Sequence, residues 1–226
     1  MHQRHAIYYA PPAGSALARL GAAWLGRDAE SGAILPQPVA GGLALEALTA
    51  APRRYGLHGT LKPPMRLAQG CGPEDLAAAL RSLAARLAPV DLGPLRLARI
   101  EGFLALVPDP QPAALEHLAA EVVAGLDHLR APPDEGELAR RRAAGLGPRQ
   151  EALLARWGYP HVMEEFRFHV TLTERLAEEA AGPVTRAAAA HFAEALAEPQ
   201  RLGDLAVFGE DAGGTFHLLT RVPLTG

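Results

Sequence analysis

The chain has 226 residues, of which 49% are hydrophobic and 21% are charged. This length predicts one bilobal domain or two small ones, and the composition is that of a globular protein with enough apolar residues for a core. The 22 basic and 25 acidic residues leave a net charge of −3. This charge argues against a general binder of long nucleic acid, because such proteins carry a basic excess.

The sequence lacks the residues that define several enzyme classes. The single cysteine, Cys71, excludes an intramolecular disulfide framework and a CxxC zinc site. None of the three serines lies in a GxSxG motif, and no GxxxxGK motif precedes Lys62, which is the only lysine. No apolar segment approaches the ~18 residues of a membrane span, and the N-terminal residues lack the pattern of an export signal. We therefore expect a cytoplasmic protein.

The first half of the chain predicts alternating strands and helices. In chain order these are a strand over 6–9, a helix over 15–27, a loop over 32–42, a strand over 57–61, a helix over 73–87, strands over 95–100 and 103–107, and a helix over 113–129. The strand over 57–61 is expected to end at Pro63, because proline lacks the amide that a strand ladder needs.

The second half predicts an insert and a terminal hairpin. In chain order it contains a polar insert at about 130–157 with one or two short helices, a strand over 166–173, a helix over 183–196, and strands over 205–208 and 216–219. Strands and helices alternate irregularly along the chain, which predicts an α+β fold with a mainly antiparallel sheet. We expect residues 1–226 to form a single bilobal domain.

One short motif, H-x-T-L, occurs twice on predicted strands, with His58 and Thr60 in its first copy and His169 and Thr171 in its second. Residues i and i+2 of a strand face the same side, so each copy presents an imidazole beside a hydroxyl. If both strands line one cleft, one imidazole can accept a proton and the other can donate one, while the hydroxyls bind phosphoryl oxygens. A single copy is usually structural, and the duplication makes a catalytic pair an equal alternative.

The doubled motif resembles the signature of the two-histidine (2H) phosphoesterase superfamily, which includes bacterial 2′-5′ RNA ligase-like proteins and cyclic phosphodiesterases. The surrounding segments resemble a branch that is named after phosphonate metabolism and is often encoded beside C–P lyase genes. These segments are Arg54–Pro64, Glu165–Thr173, Ala6–Pro12, Trp24–Asp28, Gly102–Leu106 and Pro148–Glu151. The resemblance thus covers nearly the whole chain.

The resemblance implies two pseudo-symmetric lobes, each with a small antiparallel sheet, that line a central groove with helices outside. It also implies metal-independent hydrolysis of a cyclic phosphodiester or related phosphoester. His58 and His169 would be the acid and the base, and Thr60 and Thr171 would hold the phosphate. No metal or cofactor is expected, and the partner is a small cyclic phosphate of a sugar or nucleotide. Because this branch is linked to phosphonate breakdown, one hypothesis for the substrate is a ribosyl cyclic phosphate.

Two charged residues near the motifs are candidates for substrate binding. Lys62 keeps the face of His58 and could hold a phosphate if the strand continues, whereas it is solvated if Pro63 turns the chain. Arg167 shares the parity of His169 and could bind a second anionic group, although an arginine at a strand end is more often exposed.

Two more distant residues are candidates of the same kind. Tyr8 on the first strand could flank the groove and stack on a base or sugar, although aromatic residues more often pack in the core. Arg141 could bind a terminal phosphate if the insert folds over the groove. The alternative for Arg141 is a solvated helix face, since charged runs of this kind commonly pair with nearby carboxylates.

Two other functions stay open from the sequence. The first is a non-catalytic protein that senses a phosphorylated metabolite or nucleotide. The second is RNA end-processing by a 2′,3′-cyclic phosphodiesterase, since the negative charge argues against long RNA but not against short ends. The intact pair of motifs favours an enzyme, because binding alone does not need two titrating groups. The oligomeric state, the regiochemistry of ring opening and the role of each histidine are not fixed by the sequence.

Overall fold

An antiparallel sheet forms the centre of the fold in the computed structural model, which describes residues 2–39, 42, 44–143 and 145–226. Its strands are β1 (His5–Tyr9), β2 (Gly59–Met65), β3 (Val90–Ile100), β4 (Phe103–Pro108), β5 (Val170–Arg175), β6 (Pro199–Leu202), β7 (Asp204–Glu210) and β8 (Phe216–Pro223). The strand order is β6-β3-β4-β5-β2-β1-β7-β8. The sheet thus divides into two four-stranded halves that meet at β5 and β2.

The α-helices of the described residues are α1 (Ala16–Leu25), α2 (Leu45–Leu48), α3 (Ala50–Arg53), α4 (Pro73–Ala84), α5 (Ala113–Gly125), α6 (Glu135–Arg142), α7 (Pro148–Trp157), α8 (Glu178–His191) and α9 (Ala193–Leu196). Ser15 caps α1, since its hydroxyl accepts a hydrogen bond from the amide of Ala18 at 3.2 Å. None of the described helices is both long and apolar enough to span a bilayer.

The junction between the two halves rests on one pairing among the described residues, that of Gly59 in β2 with Val170 in β5. These two residues lie inside the two H-x-T motifs. The α+β class with an antiparallel sheet is confirmed. The two small sheets that the resemblance implies are joined into one by this pairing, because each motif strand is the inner strand of its own half.

Helices cover one face of the sheet. Ile7 of β1 and Leu172 of β5 pack in the main core with Leu80 of α4 and Leu118 of α5. Trp24 of α1 adds a directional contact, since its Nε1 donates a hydrogen bond to the carbonyl of Leu172 at 3.0 Å. The motif strand β5 is therefore held from behind by both apolar packing and a hydrogen bond.

The opposite face carries a smaller aromatic cluster. Ala6 and Tyr8 of β1 pack there with Phe208 of β7 and Phe216 of β8. This face leaves room for a groove along the middle strands. Side chains of β1 thus alternate between the main core and the groove, as expected for a strand with two buried faces.

Several boundaries differ from the sequence prediction. Strand β3 begins at Val90 instead of residue 95, and the sequence did not predict β6, α2 or α3. Strand β2 continues through Pro63 and Pro64, because the pairing with β5 stops at Gly59 and leaves the rest of that edge without a ladder. Strand β5 begins four residues later than predicted, after a 3-10 helix over Met163–Glu165. Helix α8 begins at Glu178 and contains Pro183, which the sequence placed at its start because proline favours the first turn.

The polar insert contains two helices, α6 and α7. Helix α6 is capped by Asp134, whose carboxylate accepts from the amide of Glu137 at 2.8 Å. Helix α7 begins with Pro148 and ends at Gly158 in a left-handed conformation with φ of 72°. The organisation of the chain as one domain with this insert stays a prediction.

The close approach of the strands at Gly59 predicts that an added methyl group there destabilises the protein. A Cβ at this position would lie 2.4 Å from the ring of Phe168, which is itself 3% exposed and has no free space to move into. We expect Gly59→Ala to lower the free energy of unfolding by roughly 1–3 kcal/mol, as overpacking does. Chemical denaturation of the purified protein measures this.

Gly203 is the matched control for this substitution. It lies between β6 and β7, and no atom lies within 4 Å of its added Cβ. We expect Gly203→Ala to change the free energy of unfolding by no more than about 0.5 kcal/mol. Equal effects of the two variants would contradict the role of close approach at the junction.

Candidate active site

A cavity of about 450 Å³ lies where the two halves of the sheet meet. His58 and Thr60 line it from the β2 side, and His169 and Thr171 line it from the β5 side. The structure therefore brings together the four residues of the doubled motif. Cross-strand pairing explains the placement of Thr60, which lies opposite Tyr8 on the groove face of the sheet.

Both imidazoles are held by the same local interaction. Nδ1 of His58 lies 2.9 Å from the carbonyl oxygen of Gly56, and Nδ1 of His169 lies 2.8 Å from that of Arg167. A carbonyl oxygen only accepts, so each Nδ1 carries a proton and donates it. Each neutral ring then keeps Nε2 as the nitrogen available to a ligand, which suits a proton acceptor or, once protonated, a donor.

Aromatic rings support both imidazoles. The ring of His58 lies 4.0 Å from that of Tyr8 and 5.7 Å from that of Tyr55. The ring of His169 lies 5.5 Å from that of Phe103. Tyr8 is 1% exposed and also forms part of the cavity wall. It therefore has both of the positions that the sequence offered for it, in the core and beside the groove.

The surroundings lower the pKa of both histidines. Burial lowers the pKa of His58 to about 4, and the nearby His169 adds a smaller effect in the same direction. Burial also lowers the pKa of His169, against the opposing effects of the Arg167 carbonyl and the Glu101 carboxylate. Both rings are therefore neutral near pH 7 when no anion is bound.

The two motif hydroxyls are available to a ligand. Among the described residues, neither Thr60 nor Thr171 has a side-chain hydrogen bond within the protein, and both line the cavity. Thr173 differs, because its hydroxyl accepts from the amide of Leu104 at 3.0 Å and donates to the carbonyl of Glu174 at 2.8 Å. Within the described ranges, no three His, Cys, Asp or Glu side chains come together as a metal site.

The prediction that Lys62 shares the face of His58 is wrong. Tyr8 pairs with Thr60 but Ile7 pairs with Lys62, so β2 has one extra residue at this point. Such a bulge breaks the alternation of side chains and turns Lys62 to the core face with Ile7. Its Nζ donates to the carbonyl of Val123 at 2.9 Å, and burial lowers its pKa to about 8.

Arg141 lines this cavity, and Arg167 lines a second cavity that adjoins it. The guanidinium of Arg141 is bonded to Glu137 at 2.5 Å and lies 4.6 Å from the ring centroid of Tyr159. Arg167 is exposed and donates to two backbone carbonyls of its own segment. It borders an adjoining cavity of about 320 Å³, which shares Thr60 and His169 with the first.

The sequence did not identify several residues of the cavity wall, among them Arg4, Tyr55, Phe103 and Tyr159. Strand parity could have indicated Arg4, because it lies four residues before Tyr8 and therefore on the same side of the chain. The other three had no such signal, since each reaches the cavity from a turn or a strand end.

Comparisons with known proteins identify relatives of this chain. A family model described as "Protein of unknown function (DUF1045)" matches residues 60–217. A protein of Janthinobacterium sp. (strain Marseille) named "Ribose 1,5-bisphosphate phosphokinase PhnN" is 39% identical over 235 residues, which cover 99% of this chain and 51% of that protein. A protein of the same name from Laribacter hongkongensis (strain HLHK9) is 40% identical over 216 residues, covering 95% and 50%. The chain spans about half the length of these curated relatives.

Solved structures similar to this chain include E. coli LigT complexed with 3′-AMP, at a TM-score of 0.47 and 16% identity over 100% of both chains. E. coli LigT complexed with ATP matches at a TM-score of 0.44 and 15% identity over 100% of this chain and 99% of the other. Both copies of the H-x-T motif line one groove, and the chain belongs to the family described as "Protein of unknown function (DUF1045)".

Proposed function

We propose that this protein is a phosphodiesterase that opens a cyclic phosphodiester without a metal ion. The observation that carries the proposal is the convergence on one cavity of two imidazoles with available Nε2 atoms and of two hydroxyls that have no hydrogen bond to the described part of the chain. A phosphoryl group between them would have a base, an acid and two hydrogen-bond donors within reach. General acid–base catalysis and stabilisation of developing negative charge are the two contributions that such a reaction needs.

The reaction follows from these roles. One neutral imidazole takes a proton from a water molecule, whose oxygen forms a bond to phosphorus. The bond from phosphorus to one ring oxygen breaks, and the second imidazole, protonated, gives its proton to that leaving oxygen. The hydroxyls of Thr60 and Thr171 donate hydrogen bonds to the non-bridging oxygens, where negative charge builds up.

The unequal pKa shifts favour one assignment of the two histidines. His58 has its pKa lowered to about 4, so it is the ring that stays neutral and can act as the base. His169 has a smaller shift and the Glu101 carboxylate nearby, so it is more easily protonated and can act as the acid. A bound phosphate would raise the pKa of both rings, because its negative charge favours imidazolium.

The names of the relatives support a ribosyl substrate. Both relatives carry the name of a kinase that acts on ribose 1,5-bisphosphate. Hydrolysis of 5-phosphoribosyl 1,2-cyclic phosphate produces this compound when the bond from phosphorus to O2 breaks. We therefore propose this cyclic phosphate as the substrate and the 1-phosphate as the product of ring opening.

We assign the kinase activity to the half of those relatives that this chain does not match. Phosphoryl transfer from a nucleotide commonly uses a lysine on the phosphates together with bound magnesium. The only lysine of this chain, Lys62, is 2% exposed and bonded to a backbone carbonyl on the core side of the sheet. It is therefore unsuited to that role.

Substitution of either histidine tests the proposed activity. We expect His58→Ala and His169→Ala each to lower kcat on 5-phosphoribosyl 1,2-cyclic phosphate by roughly 10²- to 10⁴-fold, because each removes one proton-transfer group. Product formation is followed by ³¹P NMR with EDTA present. His117→Ala, at an exposed position of α5, is the matched control and is expected to keep full activity.

Four outcomes would contradict this assignment. Loss of activity in EDTA would overturn metal independence, and a 2-phosphate product would overturn the proposed regiochemistry. If the wild-type protein bound the compound but converted neither it nor 2′,3′-cyclic nucleotides, a phosphometabolite sensor would be the better description. Conversion of the nucleotides alone would favour RNA end-processing.

The pH dependence follows from the two lowered pKa values. Activity requires one neutral and one protonated imidazole, so kcat/KM should rise as pH passes about 4, where His58 loses its proton. It should fall as His169 loses its proton below the ordinary histidine pKa of 6.5. We expect a bell-shaped profile with its maximum between these limits, measured with the cyclic phosphate at low concentration. A maximum above pH 7 would contradict the burial of both rings.

A further inference from the structure

A second recess opens from the groove and is surrounded by guanidinium groups. It has a volume of about 220 Å³ and is lined by Arg4, Arg140, Arg141 and Glu137. Arg4 and Arg141 also line the main cavity, so the recess is continuous with the groove that holds the two histidines. We propose that it binds a second phosphate group of the substrate, at the end distant from the cyclic phosphate; this inference rests on the proposed function.

Arg4 is held rigidly at one wall of the recess. Its Nε and one terminal nitrogen each donate to a carboxylate oxygen of Glu210 at 2.6 Å. The backbone amide of Glu210 donates to the carbonyl of Arg4, so both residues are fixed relative to the sheet. The second terminal nitrogen of this guanidinium has no hydrogen bond among the described residues. An arginine held in place in this way loses little entropy when it binds an anion.

Arg141 forms the opposite wall and comes from the insert. One of its terminal nitrogens bonds Glu137 at 2.5 Å, and its guanidinium stacks over Tyr159 at 4.6 Å. Its Nε is buried and has no hydrogen-bond partner among the described residues. A buried donor without a partner is costly, so the guanidinium of Arg141 is incompletely satisfied within the protein.

The charges around the recess favour an anion. Arg4 and Arg141 each have one carboxylate partner, Glu210 and Glu137. Arg66 lies 4.0 Å from the second oxygen of Glu137, but it is itself paired with Asp134 at 2.7 Å. Arg140 has no carboxylate partner in the described part of the chain and is exposed at the rim. The recess therefore keeps a positive charge after its ion pairs are counted, and planar guanidinium groups match the oxygens of a phosphate.

The recess defines a class of substrate. A phosphate monoester carries two negative charges near neutral pH and presents three oxygens, which suit several guanidinium donors. A compound with a cyclic phosphate at one end and a monoester at the other could occupy both sites at once. A cyclic phosphate without the second phosphate would use only the histidine site and would bind more weakly.

Arg141→Gln tests the recess, because it removes the guanidinium charge and leaves a shorter, neutral polar side chain. We expect the ratio of kcat/KM for 5-phosphoribosyl 1,2-cyclic phosphate to that for ribosyl 1,2-cyclic phosphate to fall roughly 10- to 100-fold in this variant, because a charged hydrogen bond is lost. Arg142→Gln is the matched control. Arg142 is the next residue of α6, is paired with Glu151 and does not line the recess, so its ratio should equal that of the wild type.

A binding measurement separates this inference from the proposed activity. Calorimetry compares ribose 1,5-bisphosphate with ribose 1-phosphate, and neither titration requires turnover. The bisphosphate should bind more tightly to the wild type, and Arg141→Gln should remove most of that difference. If Arg141→Gln removes that difference but the wild type hydrolyses none of the substrates, the binding role of the recess is supported and the proposed activity is overturned. If hydrolysis is normal and neither ratio responds to Arg141→Gln, the recess is overturned and the activity stands.

Discussion

The pairing of Gly59 with Val170 is the contact on which the groove depends. Each H-x-T motif enters the inner strand of its own half-sheet, with its histidine one residue before the strand begins, and the halves meet at this point. The imidazoles come from distant parts of the sequence, so only the register of this junction sets their separation. Glycine permits the close approach, because a side chain at residue 59 would occupy the space of the Phe168 ring. Glycine weakens a strand, but at residue 59 it allows the two strands to approach closely enough to bring the two histidines to one groove.

Each half of the sheet contributes its histidine through the same local arrangement. Nδ1 of each imidazole donates to the carbonyl two residues upstream, and an aromatic ring lies beside each imidazole. The environments nevertheless differ. His58 is enclosed by Tyr8 and Tyr55, whereas His169 lies beside Phe103 and nearer to charged groups. Two equal side chains in unequal surroundings can divide the acid and base roles between them.

The sequence predicted the elements and motifs better than the faces of the strands. The two H-x-T copies and their shared groove follow from period-two alternation, which holds for Thr60 and Thr171. Alternation fails at Lys62, because a bulge in β2 depends on pairing with β1 and has no signature in the local sequence. Arg4 has the expected parity, but its position depends on Glu210 at the end of β7, far away in the chain. Long-range pairing is the information that a single sequence lacks.

The burial of Lys62 has a consequence for how the surface responds to acidity. This residue is the only lysine, and its ammonium group faces the core side of the sheet. Side-chain cations that reach solvent from ordinary basic residues are therefore guanidinium groups, which keep their proton throughout the physiological range. The arginines that line the groove and the recess thus keep their charge from mildly acidic to mildly alkaline solution. Anionic compounds meet the same guanidinium groups at every such acidity, whereas the two motif imidazoles change state.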